Sequence, residues 1–248
     1  MIELKTPQEI ATMRRAGAMV GRVLRHLRSF VRPGMTTQEL DAEAERQLKQ
    51  LGGEPAFKGY RGFPASLCVS VNEEVVHGIP GRRTLQEGDI VGLDYGTRVA
   101  GLYADGAITV PVGRISPETE RLVRVTEEAL TRGIEAVRPG DRLSSISVAV
   151  QRHAEAAGFS VVRQFVGHGI GRNIHEDPPV PNYGEPDRGP RLKAGMVLAI
   201  EPMVNAGKPD VEILPDGWTV VTKDGRMSAH FEHTVAITDH GPQILTVP

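Results

Sequence analysis

The chain has 248 residues, and its 29 Lys and Arg residues against 31 Asp and Glu residues leave a formal charge of −2. This balance, with only 4% aromatic residues, argues against nucleic acid as the main ligand, because such binding draws on excess cations and aromatic stacking. The single cysteine, Cys68, excludes an intrachain disulfide and a zinc site of several thiolates. No segment approaches the roughly 18 consecutive apolar residues of a membrane span, and the first residues lack the apolar core of a signal peptide. The sequence predicts a soluble cytoplasmic protein.

The N-terminal part of the chain predicts two amphipathic helices. Thr6 and Glu9 have the spacing of a capping box, and apolar residues then recur every three or four positions until Pro33 stops the pattern. Thr36 and Glu39 repeat the capping pattern for a second helix, which a pair of glycines ends.

The second half of the chain repeats this arrangement. A helical pattern begins at Ser116 and ends in the sequence VRPG, which also ends the first helix, and another helix follows. Strand-like runs at 85–94 and 192–201 both end on a carboxylate, at nearly the same separation as the VRPG repeats. This self-similarity predicts one catalytic domain over 1–248, built from two α/β halves at about 1–115 and 116–248 with a cleft between them.

Two aspartates on neighbouring predicted strands are the first candidates for chemistry. A tight turn around residues 98–101 would join the strands that carry Asp94 and Asp105 and would bring both carboxylates together. In apolar surroundings two nearby carboxylates are costly unless they share a proton or bind a cation. The alternative is that each one only caps a turn.

Three further residues complete a possible ligand set. His168 lies between glycines that minimise backbone crowding, and Glu201 and Glu232 follow or begin apolar runs, although the pattern leaves the facing of Glu232 open. Two Asp, two Glu and one His form a mostly oxygen set, which suits two divalent ions such as Mn, Fe, Co or Zn.

Several motifs resemble those of type I methionine aminopeptidases, a branch of the M24 metallopeptidases. The most diagnostic is FVGHGIGRNIHEDPPVPNY, at residues 165–183. The others occur in family order: VHGIP at 76–80, GDIV at 88–91, YAD at 103–105, IEP at 200–202 and FEHT at 231–234. The likeness extends over almost the whole chain.

The resemblance implies a fold and a metal centre. The fold is of the α/β (α+β) class, a pita-bread fold whose two pseudo-twofold-related halves have an antiparallel-rich sheet with helices outside. Two divalent ions (Co, Mn, Fe or Zn) would be held, with Asp105 and Glu232 bridging them, by Asp94, Asp105, His168, Glu201 and Glu232. The ligand types do not choose among these metals. The family also suggests a monovalent cation, Na or K, near Asn72 and Ser228.

The implied reaction is hydrolysis of the initiator methionine from nascent polypeptides, with a small second residue preferred. A water between the two ions would be partly ionised near neutral pH, and Glu201 would accept its proton. By the same resemblance, His77 would donate toward the substrate near the scissile bond. His175 would contact the scissile carbonyl and stabilise the developing negative charge.

An apolar pocket for the methionine side chain is implied as well. Its wall would include Tyr60, Phe63, Cys68, His77, Ile174, His175 and Trp218. Phe63 stands where familiar members often carry tyrosine, and Ile174 where they carry a larger aromatic residue, so the shape of the pocket stays open. Ordinary core packing is the other interpretation of Phe63, Trp218 and Cys68.

Three other interpretations fit the sequence less well. Xaa-Pro aminopeptidases and dipeptidases of the same fold usually carry a long N-terminal domain, whereas the first helix here begins near residue 6. The short interval between His168 and Glu201 leaves no room for the insertion of type II methionine aminopeptidases. A metal-free binding module would have lost ligands, and this chain has all five, so a compact bacterial-type enzyme is favoured.

The expected partners follow from this interpretation. They are the N-termini of nascent peptides and, transiently, the ribosome, with no nucleic acid as substrate and no membrane. A monomer is the default expectation because no pattern indicates an oligomer.

Overall fold

This computed structural model describes residues 2–247, which contain four α-helices, one short 3-10 helix and fifteen strands joined by loops. The helices are α1 (Pro7–Phe30), α2 (Thr37–Leu51), α3 (Pro117–Glu135) and α4 (Ser144–Ala156). The strands are β1 (Glu54–Pro55), β2 (Leu67–Val71), β3 (Glu74–Val76), β4 (Ile90–Val99), β5 (Leu102–Pro111), β6 (Ser160–Val161), β7 (Gly167–Gly169), β8 (Glu176–Val180), β9 (Val197–Ile200), β10 (Met203–Asn205), β11 (Val211–Ile213), β12 (Val220–Thr222), β13 (Ser228–His230), β14 (Glu232–Thr238) and β15 (Gly241–Ile244).

The helices begin where their capping residues predict. Thr6 and Thr36 each accept a hydrogen bond from the backbone N–H three residues later, and Glu9 and Glu39 return the bond, so both capping boxes form. Ser116 caps α3 in the same way, by accepting from the backbone N–H of residue 119. These caps satisfy N–H groups that have no partner within the helix.

The main sheet has nine strands and is antiparallel throughout. Its order is β1-β4-β5-β14-β9-β7-β8, with β2 also paired to β4 and β15 also paired to β14. The long hairpin of β4 and β5 turns at Ala100 (φ 49°) and Gly101 (φ 81°), which is the backbone that a tight two-residue hairpin requires. The turn predicted around residues 98–101 is therefore present.

Helices cover the sheet and provide its core. α1 lies on β4 and β5, and α3 packs on α4. Gly17 allows the close approach of α1 to the end of the chain, because a Cβ there would lie 2.3 Å from the carbonyl oxygen of Leu245. Within residues 2–247, no helix is long and apolar enough to cross a membrane. The division into halves near residue 115 stays a prediction.

A small sheet shapes one rim of the cleft described below. Its strands are ordered β11-β12-β3. His77 directly follows β3, and Trp218 lies in the turn between β11 and β12, so the pairing of β12 with β3 brings the two rings to a centroid distance of 6.2 Å.

Candidate metal centre and active site

Five adjacent strands of the main sheet, in the order β4, β5, β14, β9 and β7, position the predicted ligands at one cavity. Four of these strands contain a ligand, and Glu201 directly follows β9; in sheet order the residues are Asp94, Asp105, Glu232, Glu201 and His168. All five line one cavity of about 320 Å³. One ligand atom from each of Asp105, His168 and Glu232 lies within 4.8 Å of the other two. The antiparallel register thus collects residues that are far apart in the chain.

Side-chain hydrogen bonds fix the strands that carry these ligands. The Thr234 hydroxyl accepts from the backbone N–H of Asp105 at 2.9 Å and donates to the Asp105 carbonyl at 2.7 Å. The Thr109 hydroxyl makes the equivalent pair of bonds with the backbone of His230, at 2.9 and 2.8 Å. Both threonines are buried. They lock β5 to the segments that precede and follow Glu232.

The orientation of His168 leaves one ring nitrogen free to bind a cation. Its Nδ1 lies 2.9 Å from the carbonyl oxygen of Gly169. A carbonyl can only accept, so Nδ1 carries the proton and Nε2 keeps its lone pair. Nε2 lies 3.3 Å from a carboxylate oxygen of Glu201. This arrangement presents imidazole and carboxylate to a shared point.

Burial shifts the pKa values in this cluster toward neutral forms. It raises the pKa of Asp105 to about 7 and, with mutual repulsion among the acids, raises the pKa values of Asp94, Glu201 and Glu232. Burial also lowers the pKa of His168 to about 3. The neutral imidazole supplies no positive charge to these four acids, so a bound cation would favour their ionised forms at neutral pH.

Unpaired oxygens supply an independent test of whether a divalent cation fits. Asp94 Oδ1 and Glu232 Oε1 are buried without a hydrogen-bond partner among residues 2–247. Unpaired buried acceptors are uncommon in folded proteins, and a cation would satisfy both. The oxygen-rich set with one imidazole also has the chemistry of borderline divalent metals. The residues therefore fit a divalent metal ion.

Two further histidines face the same cavity. Burial lowers the pKa of His77 to about 4. The pKa of His175 is lowered mainly by burial and, to a smaller extent, by the positive charge of Arg61. The His175 ring lies 4.2 Å from the ring of His168, measured between centroids, and its Nδ1 lies 3.0 Å from the Tyr60 hydroxyl. Because their pKa values are lowered, the imidazoles of His77 and His175 are neutral near pH 7.

The apolar wall of the cavity contains most of the predicted pocket residues. Tyr60, Phe63, Cys68 and Trp218 line it, and the rings of Phe63 and Trp218 meet edge to face with centroids 5.1 Å apart. Ile174 is different: it is buried in the adjacent apolar cluster and does not line the cavity. Ile174 thus lies behind the wall, where it supports rather than forms the surface.

Sequence patterns missed several lining residues, namely Phe57, Arg61, Val76, Gln164, Phe165, Val166 and Met203. Two signals were available. Arg61 lies between the predicted pocket residues Tyr60 and Phe63, and Phe165 opens the diagnostic motif. The Phe165 ring packs edge to face on His77, with centroids 5.8 Å apart.

The residues suggested for a monovalent cation are neighbours. The backbone N–H of Ser228 donates to the Asn72 carbonyl at 2.8 Å. The Asn72 side chain, however, is engaged on both sides: its amide donates to Asp89 at 2.8 Å and its oxygen accepts from the N–H of Ile90 at 3.0 Å.

Comparison with known proteins agrees with this geometry. Residues 11–239 match metallopeptidase family M24, and the chain belongs to this family. Its place within the family is that of the methionine aminopeptidases. It is 55% identical over 246 residues to methionine aminopeptidase 1 of Bacillus subtilis, covering 99% of each chain. It is 57% identical over 247 residues to the methionine aminopeptidase of Clostridium perfringens, covering 100% of this chain and 99% of the other.

A solved structure supports the fold assignment. The crystal structure of methionine aminopeptidase from Thermotoga maritima superposes with a TM-score of 0.99 at 48% identity and covers 100% of both chains. The pita-bread fold implied by the sequence motifs is thereby confirmed.

Proposed function

We propose that this chain removes N-terminal methionine from nascent polypeptides, using two divalent ions and preferring a small second residue. The observation that carries the proposal is the convergence of five ligand-type side chains in one cavity that also has an apolar, aromatic wall. A hydrophilic cluster beside an apolar pocket is what cleavage next to an apolar side chain requires.

Asp94, Asp105, His168, Glu201 and Glu232 would hold the ions, with Asp105 and Glu232 contributing to both. When bound, the ions would supply Lewis-acid activation of water and of the scissile carbonyl. Co, Mn, Fe and Zn all suit this ligand set.

Glu201 is the residue proposed to accept a proton from the attacking water. Its two carboxylate oxygens lie 3.3 Å from His168 Nε2 and 3.8 Å from His230 Nε2. It lines the cavity together with the other proposed ligands, and a carboxylate beside the attacking water can accept its proton. This position supports the role of general base.

His175 would stabilise negative charge on the carbonyl oxygen of the methionine residue. A neutral imidazole carries one proton, and the Tyr60 O–H can donate to Nδ1, which leaves the proton on Nε2 for the substrate. His77 would donate near the scissile bond from the other rim, where Phe165 and Trp218 hold its ring.

The methionine side chain would enter the wall formed by Tyr60, Phe63, Cys68 and Trp218, with Ile174 behind it. Aromatic edges and a thiol are favourable neighbours for a flexible, polarisable thioether. The cavity volume of about 320 Å³ is at the small end of the range of about 300 to 1,000 Å³ for ligand pockets, which suits a single side chain of the size of methionine.

The proposal extends to the cellular setting. Nascent peptides as substrates imply a cytoplasmic enzyme in transient contact with the ribosome, and a monomer is the default oligomeric state of the proposal. A Na or K ion near Asn72 and Ser228 is included as a supporting site, since the two residues are hydrogen-bonded neighbours.

The test uses protein stripped with a chelator and resupplied with Mn or Co. Free methionine is measured from Met-Gly-Ser, Met-Ala-Ser, Met-Leu-Ser and Met-Arg-Ser, with Ala-Pro-Ala assayed beside them. We expect metal-dependent release from the glycine and alanine peptides and much slower release from the other two. Cleavage of Ala-Pro-Ala alone would assign the chain to the Xaa-Pro branch instead, and equal rates for all four methionine peptides would refute the second-residue preference.

A further inference from the structure

One cation at the cavity has no counter-ion. Arg61 is the only lysine or arginine among the described residues that line the cavity, and its side chain is exposed. It forms no ion pair with any carboxylate of residues 2–247. The four acids of the cavity are the proposed metal ligands, so the charge of Arg61 is available to something that enters the cavity.

The backbone around Arg61 is held in an uncommon conformation. Arg61 has φ 49°, in the left-handed region that residues with a Cβ seldom adopt. The turn is closed by hydrogen bonds from the N–H of Gly59 to the carbonyl of Phe63, 2.8 Å, and from the N–H of Phe63 to the carbonyl of Tyr60, 2.9 Å. Strained residues persist where neighbouring structure enforces them, and they concentrate at binding sites.

Aromatic contacts connect this charge to the proposed reaction centre. The Arg61 guanidinium carbon lies 5.4 Å from the centroid of the Tyr60 ring, and that ring stacks on His175 with centroids 5.5 Å apart. The positive charge therefore lies two ring contacts away from His175. An extended peptide advances about 3.3 to 3.6 Å per residue. The combined length of the two contacts, from the guanidinium to the Tyr60 ring and from that ring to His175, therefore corresponds to two or three residues beyond the scissile bond.

We propose that Arg61 binds a carboxylate of the substrate at its third or fourth residue, so that the enzyme favours methionine peptides that are acidic there. The inference rests on the proposed function, in which His175 contacts the methionine carbonyl. A partly exposed ion pair of this kind changes kcat/KM by about two- to fivefold. Arg61 would thus determine specificity on the far side of the scissile bond.

The experiment pairs substrate and protein changes in the Mn-loaded enzyme. The substrates are Met-Ala-X-Ala and Met-Ala-Ala-X with amidated C-termini, where X is Asp, Asn or Lys. The proteins are wild type, Arg61→Gln and Arg163→Gln. Arg163 is a matched control, because it is also exposed and lies 5.3 Å from a tyrosine ring, that of Tyr183, but does not line the cavity.

For wild type and Arg163→Gln we expect kcat/KM for the Asp peptide to exceed that for the Asn peptide at one of the two positions, with the Lys peptide slowest. In Arg61→Gln the ratio should fall to about one, and high salt should reduce it in wild type. The role of Arg61 would be overturned if wild type cleaved the Asp and Asn peptides with equal kcat/KM, or if Arg61→Gln kept the wild-type preference for Asp. In either case continued release of methionine would leave the proposed function intact. Failure to release methionine from every peptide would instead overturn the proposed function and this inference with it.

Discussion

Lys5 and Glu176 form an ion pair that is almost completely removed from water, with side chains only 2% and 9% exposed. Glu176 also accepts the backbone N–H of Asn173 at 2.9 Å, and the backbone N–H of Lys5 donates to the carbonyl of Gly195 at 2.7 Å. Because Glu176 follows His175 directly, the pair ties the start of the described chain to the loop that carries a proposed catalytic residue.

Removing the cation of this pair should destabilise the fold. Lys5→Met leaves the Glu176 carboxylate buried without its partner, which typically costs about 3 to 5 kcal/mol. Arg172→Gln is the control. Arg172 lies in the same loop as Glu176 and pairs with Glu3 and Glu9, but its side chain is 53% exposed. The loss of stability should therefore stay below about 1 kcal/mol. Urea unfolding of the two variants measures both values, and equal losses would contradict the importance of the buried pair.

Tyr60→Phe should lower kcat without unfolding the protein. The change removes the hydroxyl that lies 3.0 Å from His175 Nδ1 and keeps the ring that stacks on His175. Loss of one hydrogen bond of about 0.5 to 1.5 kcal/mol predicts a two- to tenfold fall in kcat. Steady-state kinetics on Met-Ala-Ser provide the measurement, and an unchanged kcat would show that Tyr60 does not orient His175.

Gly78→Ala should be strongly unfavourable, whereas Gly81→Ala in the same segment should not. A Cβ on Gly78 would lie 2.2 Å from the carbonyl oxygen of Val69, a backbone atom of β2 that cannot move freely. A Cβ on Gly81 meets nothing within 4 Å. We expect a loss of about 1 to 3 kcal/mol for Gly78→Ala, with reduced activity because His77 is adjacent, and about 0.5 kcal/mol or less for Gly81→Ala. Thermal unfolding of both variants measures the difference, and equal melting temperatures would contradict the predicted clash at Gly78.

Metal binding should release protons and weaken as the pH falls. The pKa of Asp105 is raised to about 7 and those of the other three acids are raised as well, so the metal-free site carries protons that a cation must displace. His168, with its pKa near 3, is neutral throughout and releases none. Titration calorimetry with Mn at pH 6, 7 and 8, in two buffers of different ionisation enthalpy, should show affinity falling below pH 7. Affinity independent of pH over this range would contradict the assignment.

Local patterns predicted the elements well because their causes are local. Thr6, Thr36 and Ser116 act through N–H groups three residues away, and the β4–β5 hairpin follows from a short turn that admits positive φ. The pairing of β5 with β14 and of β9 with β7 joins distant segments, and neither periodicity nor turn chemistry encodes it. Only the family motifs indicated that these strands would be neighbours.

Side-chain direction was the main property that the sequence left open. The facing of Glu232 is set by the β5–β14 register, which pairs it with Ala107 and turns it into the cavity. Ile174 was expected at the pocket surface, yet it packs into the cluster behind because a loop has no fixed alternation of side-chain directions. Arg61 escaped notice because a single exposed arginine has no periodic signal.

The metal centre is tested by methionine release from Met-Ala-Ser by wild type and Asp105→Asn, each stripped of metal and then resupplied with Mn. We expect Mn to restore release to the wild type and the variant to be slower by about two orders of magnitude or more, with circular dichroism reporting a folded protein in both cases. Full turnover by the metal-free wild type, or undiminished turnover by Asp105→Asn, would show that the cluster of Asp94, Asp105, His168, Glu201 and Glu232 is not the catalytic metal centre.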